Sequence, residues 1–194
     1  MSDDGAGGRK PRADVVRNRA IILQTAQQHF QLHGVGTSLE AVAKDAGVGP
    51  ATLYRHFPTR EALLAGVLQL RSEELLVRQS QIAAVADADE ALKQWMRALE
   101  DYFSTYSGLP EPLMVAARER EPGNPLTLPC EELIRTTEHY LTEAQRAGQV
   151  EDWVKGYDLF LAANSMAWIK STGAGDETSL PGLRKMIENG YRRP

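Results

Sequence analysis

Nowhere in this chain of 194 residues does an alternation of apolar and polar positions persist, and this argues against a half-buried sheet as its framework. Apolar residues recur instead at helical spacing, in runs divided by Gly, Pro and small polar residues. Ile22, Leu23, Ala26 and Phe30 form the first stripe, between about Val15 and Leu32, and Gly34 ends it. A second helix is expected from Thr37, with Glu40 three residues on as a capping-box partner. Leu39, Val42, Ala43 and Ala46 are its apolar face, and Gly47 suits a left-handed terminator. Pro50 fits the first position of a third helix, where an N–H would have no partner, and Pro58 closes that helix. Thr59 and Glu61 open a long fourth helix reaching about residue 80. Further helices are predicted at Asp89–Tyr106, Pro112–Arg120, Pro129–Ala147, Asp152–Thr172 and Leu180–Tyr191, parted by "SGLPEP", "EPGNPLTLP", "AGQV" and "TGAGDETSLPG". The fold class is all-α, with no internal repeat of solenoid length.

Charge divides the chain. Arg9 to Arg60 holds eight basic residues against three acids, a local balance of +5, whereas Glu61 onward sums to −7. A basic head on an acidic body suggests that one end meets a polyanion. No apolar run approaches the length of a membrane span and the opening "MSDDGAGGRKPRAD" has no apolar stretch for a signal peptide, so the cytoplasm is the expected compartment. The lone Cys130 excludes an internal disulfide and a cysteine-rich metal site, and it reads as a structural thiol. Neither a cofactor nor a metal is expected.

Residues 37–57 therefore read as helix, short turn, helix, the arrangement of a helix-turn-helix unit whose second helix enters the major groove. Setting Leu53 inward and advancing about 100° per residue turns Phe57 inward as well, and points Ala51 and Arg55 away from the core. Arg55 can then reach base edges, with Ala51 small enough for the backbone to come close. Thr52 and Tyr54 fall on the flanks, where hydroxyls meet phosphates, and His56 is a further flanking candidate that also suits a helix cap. Arg9, Lys10 and Arg12 fit a minor-groove arm or a solvated tail. The organisation expected is a flexible basic arm over 1–13, a helix-turn-helix domain over 14–58 and an effector-binding and dimerisation domain over 59–194.

The segment "RAIILQTAQQHFQLHGVGTSLEAVAKDAGVGPATLYRHFPTREALLAGVL", residues 19–68, resembles the TetR family of bacterial transcription regulators. The resemblance rests on Ala-Gln-Gln-His-Phe closing the first helix, on Gly34 and Thr37, and on Val42-Ala43 with Ala46-Gly47-Val48. It rests too on Thr52-Leu53-Tyr54 with His56-Phe57, and on "TREALL". It implies a homodimer on a palindromic double-stranded DNA operator, each subunit joining a DNA-binding head to a helical body that takes a small effector. By position, Thr37, Ser38, Thr52, Tyr54, His56 and Arg60 would touch phosphates, and Gly49, Pro50, Ala51 and Arg55 would face the bases. Many relatives carry a polar residue where this chain has Pro50-Ala51, so base reading would rest heavily on Arg55 and the arm.

Effector contacts do not transfer by position, so candidates come from residues awkward in a core: Trp95, Tyr102, Phe103, Tyr106, Met114, Arg118, His139, Tyr140, Asn164 and Trp168. The aromatics among them also suit plain core. Asn164, inside "LFLAANSMAWI", needs a partner from a ligand, a water or the other subunit. The helix over 152–172 is apolar nearly all round and, with Leu180–Tyr191, suits a four-helix dimer interface. Scattered carboxylates and four histidines give no catalytic grouping, so an enzyme is not expected. A helical protein-interaction module, an activator and a ligand-independent repressor remain alternatives to a repressor released by a partly apolar effector.

Overall fold

Helical periodicity resolves into nine α-helices in the computed structural model, which describes residues 10–176 and 178–193 and side chains from residue 14 onward. In chain order these are α1 (Lys10–His33), α2 (Leu39–Asp45), α3 (Pro50–His56), α4 (Arg60–Ile82), α5 (Ala88–Phe103), α6 (Pro110–Glu119), α7 (Thr127–Arg146), α8 (Gly156–Thr172) and α9 (Ser179–Tyr191). Helices α1 to α3 form the head. In the body, α5, α7 and α8 pack against one another, α6 lies on α7 and α8, and α9 lies on α8. Helix α4 joins the two, touching α1 at one end and α5 at the other.

Buried side chains run without a break from head to body. Ile22, Phe30, Val42, Leu53 and Phe57 fill the head, while Leu92, Trp95, Leu99, Phe103 and Phe160 fill the body. Helix α8 is buried along Leu159, Phe160, Ala163, Asn164, Met166 and Ala167, as its apolar circumference requires.

Element types follow the expectation and several bounds do not. Helix α1 begins at Lys10 rather than near Val15, so the last part of the expected arm is helical; Pro11, harmless in a first turn, does not stop it. Residues 1–9, Arg9 included, lie outside the described residues. Ser38, not Thr37, caps α2, its Oγ accepting from the Ala41 N–H at 3.2 Å. Glu40 therefore misses the capping-box register by one residue and is free to bind elsewhere. Thr59 caps α4 as expected, accepting from the Ala62 N–H at 3.1 Å. Helix α8 starts at Gly156 rather than Asp152, against α7: a Cβ there would lie 2.9 Å from the Glu138 backbone nitrogen.

Head and body touch at a second point beside α4. The Val35 N–H donates to the Ser107 carbonyl at 2.9 Å, tying the α1–α2 loop to the α5–α6 loop. Gly34 makes the approach possible. Its φ is +75°, and a Cβ there would lie 2.7 Å from the Ser107 carbonyl oxygen.

Candidate nucleic-acid interface

Small residues let α2 and α3 cross closely. Val42 and Ala43 are fully buried, Ala46 nearly so, and Gly47 turns the chain with a φ of +69°. The Val48 N–H then returns to the Ala43 carbonyl at 2.9 Å, which closes the turn. Gly49 precedes α3 in extended conformation and Pro50 opens it. Leu53 and Phe57 anchor α3 from within, as the angular argument requires.

The opposite side of α3 is open. Gly49, Pro50, Ala51, Tyr54 and Arg55 are exposed, and Thr52 and His56 are half-buried. Arg55 forms no ion pair among the described residues; its Nη2 donates to Thr52 Oγ1 at 3.1 Å, one turn back on the same face. Such a guanidinium stands clear of the core and is steered by a short bond that it can exchange for a better acceptor.

Glu40 gathers the neighbouring donors. Ser38 Oγ donates to its Oε2 at 2.8 Å, and Tyr54 Oη donates to its Oε1 at 3.1 Å. Its own backbone N–H, then Ser38 and Tyr54, hold its carboxyl below the usual range, and the same contact raises the Tyr54 phenol above its own. Two hydroxyls expected at phosphates thus already face an anionic oxygen. Sequence spacing gives no sign of this pairing, because it places Glu40 in the cap of α2.

Thr37 and Arg60 lie behind this surface. Thr37 is half-buried, its Oγ1 3.5 Å from Nδ1 of His29, whose Nε2 lies 2.9 Å from an Asp45 carboxylate oxygen. Arg60 Nη1 donates to the carbonyls of Val35 and Thr37 at 2.6 and 2.7 Å. It clamps the loop that leads into Ser38. Arg19, absent from the expected set, lies over the Phe57 ring with its guanidinium carbon 4.4 Å from the centroid. Its Nη1 reaches the His56 carbonyl, the last of α3, at 3.4 Å. Membership of the basic N-terminal segment was the only sequence signal for it.

The ten effector candidates do not converge on one cavity. Trp95 is buried, donates from Nε1 to Thr137 Oγ1 at 2.9 Å and lies 5.5 Å from the Tyr140 ring, whose hydroxyl donates to the Gln79 carbonyl. Phe103 meets Phe160 edge-on, and Tyr106 meets Phe30 of the head in the same way. Met114 is half-buried; Arg118 pairs with Glu119; His139 and Trp168 are exposed. Asn164 is fully buried and donates to the Phe160 carbonyl at 3.0 Å, which leaves its Oδ1 without a partner in the described residues. Its full burial within one subunit argues against the other subunit as that partner, one of the three sources open from the sequence. Tyr102 alone lines a sizeable space, a cleft of about 540 Å³ between head and body. Cys130 is buried and its thiol is pushed up to about 12, which suits a packing role rather than a nucleophilic one.

Among the described residues, no group of three His, Cys, Asp or Glu is placed to hold a metal ion, and no helix is long and apolar enough to cross a membrane. Residues 22–67 match the family model described as bacterial regulatory proteins, tetR family. Residues 87–191, more than half of the chain, match the C-terminal domain described as transcriptional regulator SbtR-like. The HTH-type transcriptional regulatory protein RaaS of Mycobacterium tuberculosis is 31% identical over 134 residues, which cover 68% of this chain and 59% of RaaS. The TetR transcriptional regulator SCO0520 of Streptomyces coelicolor superposes with a TM-score of 0.54 at 28% identity, over 90% of this chain and 98% of that one. A protein of Saccharomonospora viridis, described as a transcriptional regulator and solved in complex with choline, gives a TM-score of 0.60 at 19% identity, over 92% and 100% of the two chains.

Proposed function

The chain belongs to the TetR family of bacterial transcriptional regulators, and from that premise we propose that it binds a palindromic operator as a homodimer and releases it when a small effector binds. The observation that carries the DNA contact is the open face of α3. Arg55 stands there without an acidic partner among the described residues, between the flanking hydroxyls of Thr52 and Tyr54. Its planar fork matches O6 and N7 of a guanine. Ser38, Thr52, Tyr54 and His56 supply donors for phosphates on either side, and Ala51 leaves room for the backbone. Thr37 and Arg60 act mainly by holding the loop in place, with the Arg60 charge adding to the field. Gly49 and Pro50 bring the start of α3 close to the bases.

Dimerisation is assigned to α8 and α9. Trp168 and Met186 are 49% and 71% exposed there, on helices whose other sides are already packed. A two-fold axis through that face would present the heads as a pair, suited to half-sites roughly 34–36 Å apart or a multiple of that. The choline complex of the Saccharomonospora viridis protein is in keeping with a small effector, although likeness at 19% identity supports the fold and not the ligand. The setting is the cytoplasm, where the DNA lies.

The test is selection from a random pool of double-stranded DNA with the wild type and Arg55→Ala in parallel. A palindromic consensus is expected from the wild type. In the variant one position per half-site should relax, with about 1–3 kcal/mol of discrimination lost there. An unchanged consensus from Arg55→Ala would remove Arg55 from base reading.

A further inference from the structure

The geometry points to the head–body cleft as a binding site for an amphipathic organic anion, whose occupancy weakens operator binding. This assignment rests on the regulator reading above and adds the place and chemistry of the effector. The cleft has about 540 Å³ of space, within the roughly 300–1,000 Å³ typical of small-molecule sites. In the body interior, by contrast, aromatic rings pack on one another, Trp95 on Tyr140 and Phe103 on Phe160.

Its lining selects charge. In a chain of net charge −4, no acidic residue lines this cleft. Arg19 and His56 stand at one end, on α1 and α3, and Arg19 has no carboxylate partner among the described residues. Tyr102 and Gln69 add polar groups from α5 and α4, and the Tyr102 hydroxyl makes no hydrogen bond to a described residue. Between them, Ala65 and Leu68 form one wall, and Leu126 and Pro129 form the other. Donors at the ends and apolar walls between them suit a carboxylate-bearing molecule with an apolar body.

Occupancy reaches the DNA-reading helix through Arg19. Its guanidinium lies on Phe57 and donates to the His56 carbonyl, so it secures the C-terminal end of α3 from outside. A ligand carboxylate draws that guanidinium toward itself and adds negative charge beside His56. The apolar body of the ligand meanwhile holds α4 and the α6–α7 loop at a set distance from the head. Both effects favour a head arrangement other than the one that binds DNA.

Decanoate, with decyltrimethylammonium as the cationic counterpart, provides the probes. Each is titrated calorimetrically into the full-length wild type, Gln69→Glu and Ala65→Trp, with circular dichroism and melting checked for both variants. Decanoate should bind the wild type and the cation should not. Gln69→Glu, which adds a charge on an exposed α4 position, should weaken decanoate by about fivefold or more. Ala65→Trp, which fills the cleft, should abolish binding. Equal decanoate affinity for the wild type and a folded Gln69→Glu would overturn the site, and preference for the cation would overturn its chemistry. With the selected operator, decanoate should lower wild-type affinity at concentrations that leave Gln69→Glu bound. Cleft binding without that loss would overturn the link to DNA. If no operator is selected at all, the regulator reading fails on its own, while the calorimetry still decides whether the cleft takes an anion.

Discussion

Glu40 puts a single carboxylate beside the hydroxyls of the proposed DNA-binding face. It accepts from Ser38 and Tyr54, two of the hydroxyls proposed to meet phosphates. The contact holds the Tyr54 hydroxyl at the edge of α3, and it also sets a negative charge where the proposed DNA contact would bring a phosphate. Coulomb repulsion should outweigh the ordering, because both hydroxyls can turn to a phosphate oxygen and only the charge persists. Glu40→Gln keeps an acceptor for Tyr54 and removes the charge. Operator affinity should rise by roughly threefold or more at low salt, with the gain shrinking as salt screens it. Fluorescence anisotropy across a salt series would show this. Unchanged or weaker binding by a fully folded variant would mean that Glu40 serves chiefly to order Tyr54. Arg60 is the complementary case: its guanidinium is committed to the Val35 and Thr37 carbonyls, so its bonds hold the loop and only its charge would act on the proposed DNA contact, from a distance.

Among the elements, α4 and the two loops beside it decide how the head sits. Gly34 must be left-handed and must pass against the Ser107 carbonyl, so Gly34→Ala meets a backbone penalty and a clash together. A loss of about 1–3 kcal/mol is expected, read as a lower melting temperature. An unchanged melt would show that the loop contact is not held in solution. Farther along, Asp101 of α5 accepts from Arg78 of α4 at 3.1 Å and from Lys170 of α8 at 2.9 Å. Burial alone would raise its pKa, yet the bonds from Lys170 and Arg78 more than offset this and leave it below 3.8. A carboxyl depressed in the folded state contributes stability above its unfolded value and loses it as pH falls through the folded one. Stability should therefore decline as pH drops below about 3.8, and Asp101→Asn should flatten that part of the curve in chemical denaturation. A variant with the same slope there would exclude Asp101 as a source of it.

At the scale of the molecule, the acidic body and basic head divide the labour. The exposed Trp168 and Met186 of α8 and α9 mark the face assigned to the second subunit. Trp168→Asp would place a charge in that contact. Sedimentation should then show a shift toward monomer, and operator affinity should fall steeply because two heads on one duplex bind with the effective concentration of a linked pair. A dimer of wild-type strength in the variant would move the interface elsewhere. Within one subunit, Phe30 of the head meets Tyr106, Phe103 meets Phe160 of α8, and all four belong to one buried core, so changes in the body and in the head are not independent.

The sequence by itself determined the all-α class, the order of the helices, the turn between α2 and α3 and the outward aim of Arg55. These depend on apolar spacing, glycine and proline chemistry and angular position, all of which act within a few residues of the chain. Local signals also misplaced by one residue the cap of α2, since Thr37 and Ser38 offer the same chemistry side by side. Only the tertiary structure decided what the polar groups do. Tyr54 meets Glu40, Arg60 reaches back to Val35, and Arg19 lies over Phe57, each pairing set by how helices cross rather than by sequence spacing. The same holds for the body. Its aromatic residues suited a core more readily than a pocket, and packing placed most of them in the core while leaving a cleft of about 540 Å³ between head and body. A cavity is the space left between elements, so its position follows from their assembly and is written in no single segment.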